Sequence, residues 1–150
     1  DQLDGIAISS GPGSYTGLRI GMSISRGLAA AGKIPLIPVP TLFSMNFNIQ
    51  KNGEYWLMLH SHKDLVYTQR YYSGIPNSEI SFEEYQREKH IPVYGYNLEN
   101  ICEDYKSIPP SAKSVGELAL QNYNQWVELD LNQVSPNYIT NINLGKMNIV

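Results

Sequence analysis

The feature that most constrains this chain is an apolar strand that runs into a glycine-rich turn and straight on into a helix. Ile6, Ala7 and Ile8 form the strand, and Gly11, Pro12, Gly13, Ser14, Tyr15, Thr16 and Gly17 break it. Beyond the turn, Leu18, Ile24, Leu28 and Ala31 recur at helical spacing. Ser14 or Thr16 can cap the first free N–H groups of that helix, and Gly32 followed by Lys33 supplies a stop.

The rest of the chain reads as further alternation of strand and helix. A second short strand over 34–39 carries Pro35 and Pro38, which suit a strand end or edge. Thr41 is placed to cap a helix reaching about Ile49. Composition changes at 50–53, which divides the chain into a first lobe over 1–52 and a second over 53–150. There, 55–59 and 65–72 are rich in aromatic and β-branched residues and predict a hairpin turning at 61–64. Ser81 with Glu84, and Ser114 with Glu117, have capping-box spacing and predict short helices toward Lys89 and Asn124. A strand is expected over 91–95 and a helix-like stretch over 98–104, while the tail from Trp126 lacks periodicity. The class is α/β, a mixed sheet covered by helices.

A chain of 150 residues buries about two thirds of its unfolded surface, enough for a real core. Its net charge of −3, with both signs interspersed, leaves no basic stripe for tight nucleic-acid binding by this chain alone. The single cysteine, Cys102, cannot form an intramolecular disulfide; it fits a reducing compartment and reads as a small core residue. No signal peptide is visible in these residues and no apolar run approaches about 18 residues, so a soluble cytoplasmic protein, with no membrane partner, is expected.

The glycine-rich run permits positive φ and close backbone approach, and the helix it opens offers N–H groups at the positive end of its dipole. That is a generic anion cradle, although a tight strand-to-helix connection would ask for the same residues. No Lys-Ser or Lys-Thr pair follows the last glycine, and the spacing of Gly11, Gly13 and Gly17 is not the dinucleotide fingerprint. Within the helix, Gly17, Gly21 and Ser25 make a shallow small-residue ridge, with Gly27 beside it. Interior glycines cost about 1 kcal/mol each against alanine, so a close neighbour is implied: either a partner helix or the chain's own sheet. Arg19 and Arg26 could pair with acidic groups on a partner.

His60 and His62 lie two apart on a strand and could furnish two metal ligands, with only His90 or Asp64 as a third. Solvated surface groups are the preferred reading, and no metal site is assigned. No His-Glu-x-x-His, His-x-x-x-His or G-x-S-x-G pattern is present, so no catalytic residue is assigned either. The eleven tyrosines are read as core and sheet packing rather than a base-stacking platform.

The run from Gly11 to Ala29, with Asp4 to Ala7 before it and Ile37 to Leu42 after it, resembles the bacterial TsaB (YeaZ) family. Val66 with Tyr67, and Pro136 to Tyr138, resemble family landmarks more weakly. The resemblance implies an actin-like ATPase, sugar-kinase/Hsp70 type two-lobed fold with the first lobe incomplete, because the family's opening strands and first helix have no counterpart before Asp1. It implies a non-catalytic subunit that binds a TsaD-type catalytic subunit and, with a TsaE-type ATPase, supports threonylcarbamoyl transfer to the tRNA adenosine beside the anticodon. ATP and metal are expected on the partner subunits, none on this chain alone, and tRNA only in the complex. The interface is expected on Gly17, Leu18, Arg19, Gly21, Met22, Ser25 and Arg26; a homodimer through the same helix is the alternative. Where many members carry Asp-Ala-Arg, this chain has His60, Ser61 and His62. A rival function is nucleotide binding or hydrolysis at the glycine-rich loop, from Gly11 to Thr16.

Overall fold

In a computed structural model the chain is described over residues 3–86 and 90–139. The opening unit folds as its sequence dictates. Strand β1 (Ile6–Gly11) pairs in parallel with β2 (Leu36–Pro40), and helix α1 (Tyr15–Gly32) joins them. Ser14 is the N-cap, its hydroxyl accepting from the Gly17 N–H at 3.2 Å. Lys33 closes the helix in the left-handed region (φ 52°), donating to the carbonyls of Ala29 and Ala30.

Helix α2 (Thr41–Asn46) is shorter than the sequence suggests, and Thr41 does not cap it. Pro40 holds the N-cap position, and the Thr41 hydroxyl instead meets Ser9 Oγ at 2.7 Å across the sheet. The hairpin follows as β3 (Glu54–His62) and β4 (Leu65–Tyr72), with Lys63 and Asp64 as its tight turn. The remaining elements are β5 (Ile75–Pro76), β6 (Ser81–Glu84), β7 (Val93–Tyr96), β8 (Lys106–Ser107), α3 (Ala112–Gln121) and α4 (Tyr123–Trp126). The second sheet has the order β5-β4-β3-β7-β8, with β6 also on β4. It is mixed, since β7 runs parallel to β3 and β4 antiparallel to it.

Three local expectations give way to tertiary pairing. Residues 81–84 are a strand, because the edge of β4 takes their backbone; Ser81 Oγ then donates to Glu83 Oε1, and Phe82 stacks on Tyr67 at 4.7 Å. Helix α3 starts earlier than the capping-box spacing implies, capped by Ser111, while Ser114 is buried and accepts from Asn48 Nδ2 at 2.7 Å. Residues 98–104 make a single turn, with the N–H groups of Ile101 and Cys102 both on the Leu98 carbonyl. Leu98 and Cys102 are buried there, the latter as the small core residue expected. Lys89 and the tail beyond 139 lie outside the described residues.

Among the described residues, alternation along the strands builds four packed clusters. On the first sheet Ile6, Ile8 and Leu36 face α1, packing with Met22, Ala29 and Val134. Ala7, Ile37 and Val39 face the other way, against Val115, Leu118 and Ala119 of α3. On β3, Tyr55, Leu57 and Leu59 meet Leu42 and Met45 of α2, whereas Met58 packs with Val66, Val93 and Leu98 on the opposite face. Residues 50–53 lie between α2 and β3, where the chain passes from the first sheet to the second. The chain then comes back: α3, α4, the Leu36–Glu128 bridge and the Asn137 N–H bond to the Ser10 carbonyl all lie on the first sheet. Residues of α3 and α4 thus complete the core of the first sheet.

Candidate functional site

The glycine-rich loop is fixed by what surrounds it. Gly11 has φ +105°, and a Cβ there would lie 2.7 Å from the Asn137 carbonyl oxygen and 3.1 Å from Leu18 Cδ1, so no other residue fits without backbone movement. The peptide between Gly11 and Pro12 is cis. At Gly13 an added Cβ would sit 3.9 Å from Leu59 Cδ2, and Gly13 and Leu59 line the same cleft.

Two clefts flank this loop. One, about 420 Å³, is mostly apolar, with Ile8, Leu18, Leu59, Tyr96 and Pro110 among its walls. The other, about 480 Å³, lies between Ser14 and the β3–β4 hairpin and is bordered by His60, His62, Tyr67, Asn97 and Tyr138. Among the described residues, no Lys, Arg, Asp or Glu lines either cleft. Neither therefore offers the fixed cation that meets a polyphosphate nor the carboxylate that holds its Mg²⁺.

His60 and His62 come to the second cleft together, although a register shift in the hairpin separates them. A nitrogen of each ring is engaged locally: His60 Nε2 at 2.7 Å from the Lys63 carbonyl, and His62 Nδ1 at 3.1 Å from Ser61 Oγ. No group of three or more His, Cys, Asp or Glu among the described residues could hold a metal ion. Burial raises the phenols of Tyr55 and Tyr71 above the usual tyrosine range, the Tyr105 hydroxyl lowers Glu99, and the Asn132 N–H lowers Asp130.

Helix α1 presents a different kind of surface. Met22 and Ala29 face inward and are buried, and a Cβ on Gly21 would lie 3.7 Å from Ile8 Cδ1. An added methyl at Gly21 would make ordinary contact with the chain's own sheet, while Gly27 looks into open space. Of the residues the sequence offered for partner contact, Met22 is withdrawn into the core and Leu18 is half-buried beside Gly11. Arg26 donates to the Val134 carbonyl, and Arg19 lies exposed over the Tyr15 ring. Ser25 is half-buried, and Gly17 is exposed.

What stands outward is an apolar row, Ile20, Ile24 and Leu28, exposed by 56%, 58% and 58%. The helical recurrence of Leu18, Ile24, Leu28 and Ala31 does not say which of them face inward, and it leaves out Ile20. The signal was present: Leu18, Ile20, Met22, Ile24 and Leu28 are spread too widely around one helix to face a single sheet.

Comparison with known proteins places this geometry. The model of the family described as TsaD, tRNA N6-adenosine threonylcarbamoyltransferase, matches residues 1–86. The tRNA threonylcarbamoyladenosine biosynthesis protein TsaB of Haemophilus influenzae is 44% identical over 45 residues, 30% of this chain and 19% of that protein. Its Escherichia coli namesake is 44% identical over 52 residues, 34% and 22% of the two chains. That of Buchnera aphidicola is 36% identical over 73 residues, 47% and 33%. The match thus spans a fifth to a third of the length of these relatives. Among solved structures, YeaZ from Pseudomonas aeruginosa superposes with a TM-score of 0.67 at 20% identity, covering 91% of this chain and 73% of that one. A Pseudomonas aeruginosa protein described as similar to peptidase YeaZ gives 0.72 at 20% identity, with 92% and 74% covered. The fold is accordingly the mixed α/β, TsaD-like (actin-like ATPase) fold of YeaZ.

Proposed function

The chain belongs to the TsaB (YeaZ) family, carrying a TsaD-type domain over residues 1–86, and from that premise we propose that it serves tRNA threonylcarbamoyladenosine biosynthesis as a non-catalytic subunit. In this reading it binds and activates a TsaD-type enzyme, in a two-lobed frame and in company with a TsaE-type ATPase. ATP and metal belong to those partners, and tRNA is engaged only by the assembly. The observation that carries the reading is the exposed row Ile20, Ile24 and Leu28 on α1. Three large aliphatic side chains standing in water on one face lose about 1.5–3 kcal/mol each when fully buried, a gain that a helix–helix contact collects. Gly17 and Gly27 beside the row leave room for a close approach, and exposed Arg19 offers a cation at its rim.

The test is calorimetric titration of the chain with the TsaD-type subunit of the same organism. Ile24→Asp is the better disrupting variant, because Ile24 points outward, whereas enlarging Gly21 would push on Ile8 of the chain's own sheet. Binding that weakens by about tenfold or more in Ile24→Asp, with the fold intact, supports the reading. Undiminished binding by that variant, or none by the parent chain, sinks it. In that event a rise in melting temperature with ATP or ADP alone would mark the chain as a nucleotide-binding protein.

A further inference from the structure

We infer that the cleft of about 480 Å³ between the glycine-rich loop and the β3–β4 hairpin is a nucleobase-binding site. Four aromatic rings from distant parts of the chain converge on it. Tyr15 opens α1 and lies 5.0 Å from Tyr138 of the tail, while Tyr67 of β4 stacks at 4.7 Å on Phe82 of β6. Tyr15 and Tyr138 are not core residues: they are 60% and 43% exposed, and although Tyr138 and the Arg19 guanidinium both lie against the Tyr15 ring, part of this aromatic surface faces the cleft. Core packing, the reading their composition suggests, does not account for them.

The polar groups on the walls narrow the ligand further. They are imidazoles, carboxamides and hydroxyls, with His62, Asn97 and Asn137 among them, and no Lys, Arg, Asp or Glu joins them among the described residues. A polyphosphate would find no cation there, and a purely apolar ligand would leave the amides unpaired. A flat, neutral heterocycle with donors and acceptors along its edge satisfies both parts of the lining, its face on tyrosine and its edge on amide and imidazole. The volume is within the range of small-molecule sites. The base can come from a free nucleoside or from an unpaired position in an RNA loop. Because no Lys or Arg lines the cleft among the described residues, binding through its walls should depend little on salt, unlike binding through phosphates.

This inference is independent of the partner-subunit reading, and it is tested on the full chain alone. Adenosine, uridine, ribose and a hexa-adenylate are titrated while the tyrosine ring resonances are followed by NMR. We expect adenosine to shift the rings of Tyr15, Tyr67 and Tyr138, and ribose to leave them in place. Tyr138→Ala should weaken adenosine binding by about fivefold or more, and Tyr138→Phe, which keeps the ring, should restore it. Hexa-adenylate binding more tightly than adenosine, with little change between about 50 and 200 mM salt, identifies an RNA base as the source; equal affinity identifies the nucleoside. Absence of ring shifts with adenosine up to about 10 mM overturns the proposal, as does unchanged affinity in folded Tyr138→Ala and Tyr15→Ala variants.

Discussion

Single residues carry the strand-to-helix turn. Gly11 combines positive φ with a backbone carbonyl where a Cβ would go, so Gly11→Ala should destabilise the fold by about 1–3 kcal/mol, read as a lower urea midpoint. Ser14→Ala removes the α1 cap and should cost about 1 kcal/mol in the same assay. The capping role of Ser14 was legible because its partner lies three residues away. That of Thr41 was misread because its partner, Ser9, is 32 residues distant. A pH dependence follows from the core tyrosines. Burial raises the folded-state pKa of Tyr71 and Tyr55 above about 10, so their contribution is fully present below that pH and is lost as pH rises through the folded values. Stability should therefore fall in alkali above about pH 10, and less steeply in Tyr71→Phe, as followed by denaturant titration at successive pH values.

At the scale of elements, α1 has two apolar faces, of which the described residues cover one. Removing an outward side chain leaves the core untouched. Ile24→Asp should change the unfolding free energy by less than about 0.5 kcal/mol while weakening association, a split that chemical denaturation and analytical ultracentrifugation together would reveal. An inward change such as Leu57→Ala should cost about 2–5 kcal/mol. The edge strand β6 teaches the opposite lesson to the Ser14 cap. Its sequence carries a helix-start pattern, yet the unpaired edge of β4 takes it as a strand, because ladder bonds and the Tyr67–Phe82 contact replace one turn of helix.

For the whole molecule, α2 contributes Leu42 and Met45 to the core of the second sheet, and the returning segment beyond 111 closes the first. The two sheets share buried side chains through α2 and should unfold together. Trp56 sits on the second sheet and Trp126 against the first, so single-tryptophan variants, Trp56→Phe and Trp126→Phe, should give coincident denaturation midpoints. Separate midpoints would mean that the sheets are independent folding units.

The sequence by itself determined the strand, glycine-rich turn and capped helix at the start of the chain, the β3–β4 hairpin and the α/β class. Each of these is written in contacts a few residues apart, where propensity, capping and alternation act. Only the tertiary structure decided which face of α1 is spare, where the segment beyond 111 packs, and that rings from residues 15, 67, 82 and 138 line one cleft. Those outcomes depend on contacts between positions far apart in the chain, and local periodicity carries no information about which distant partner will arrive to cover a surface.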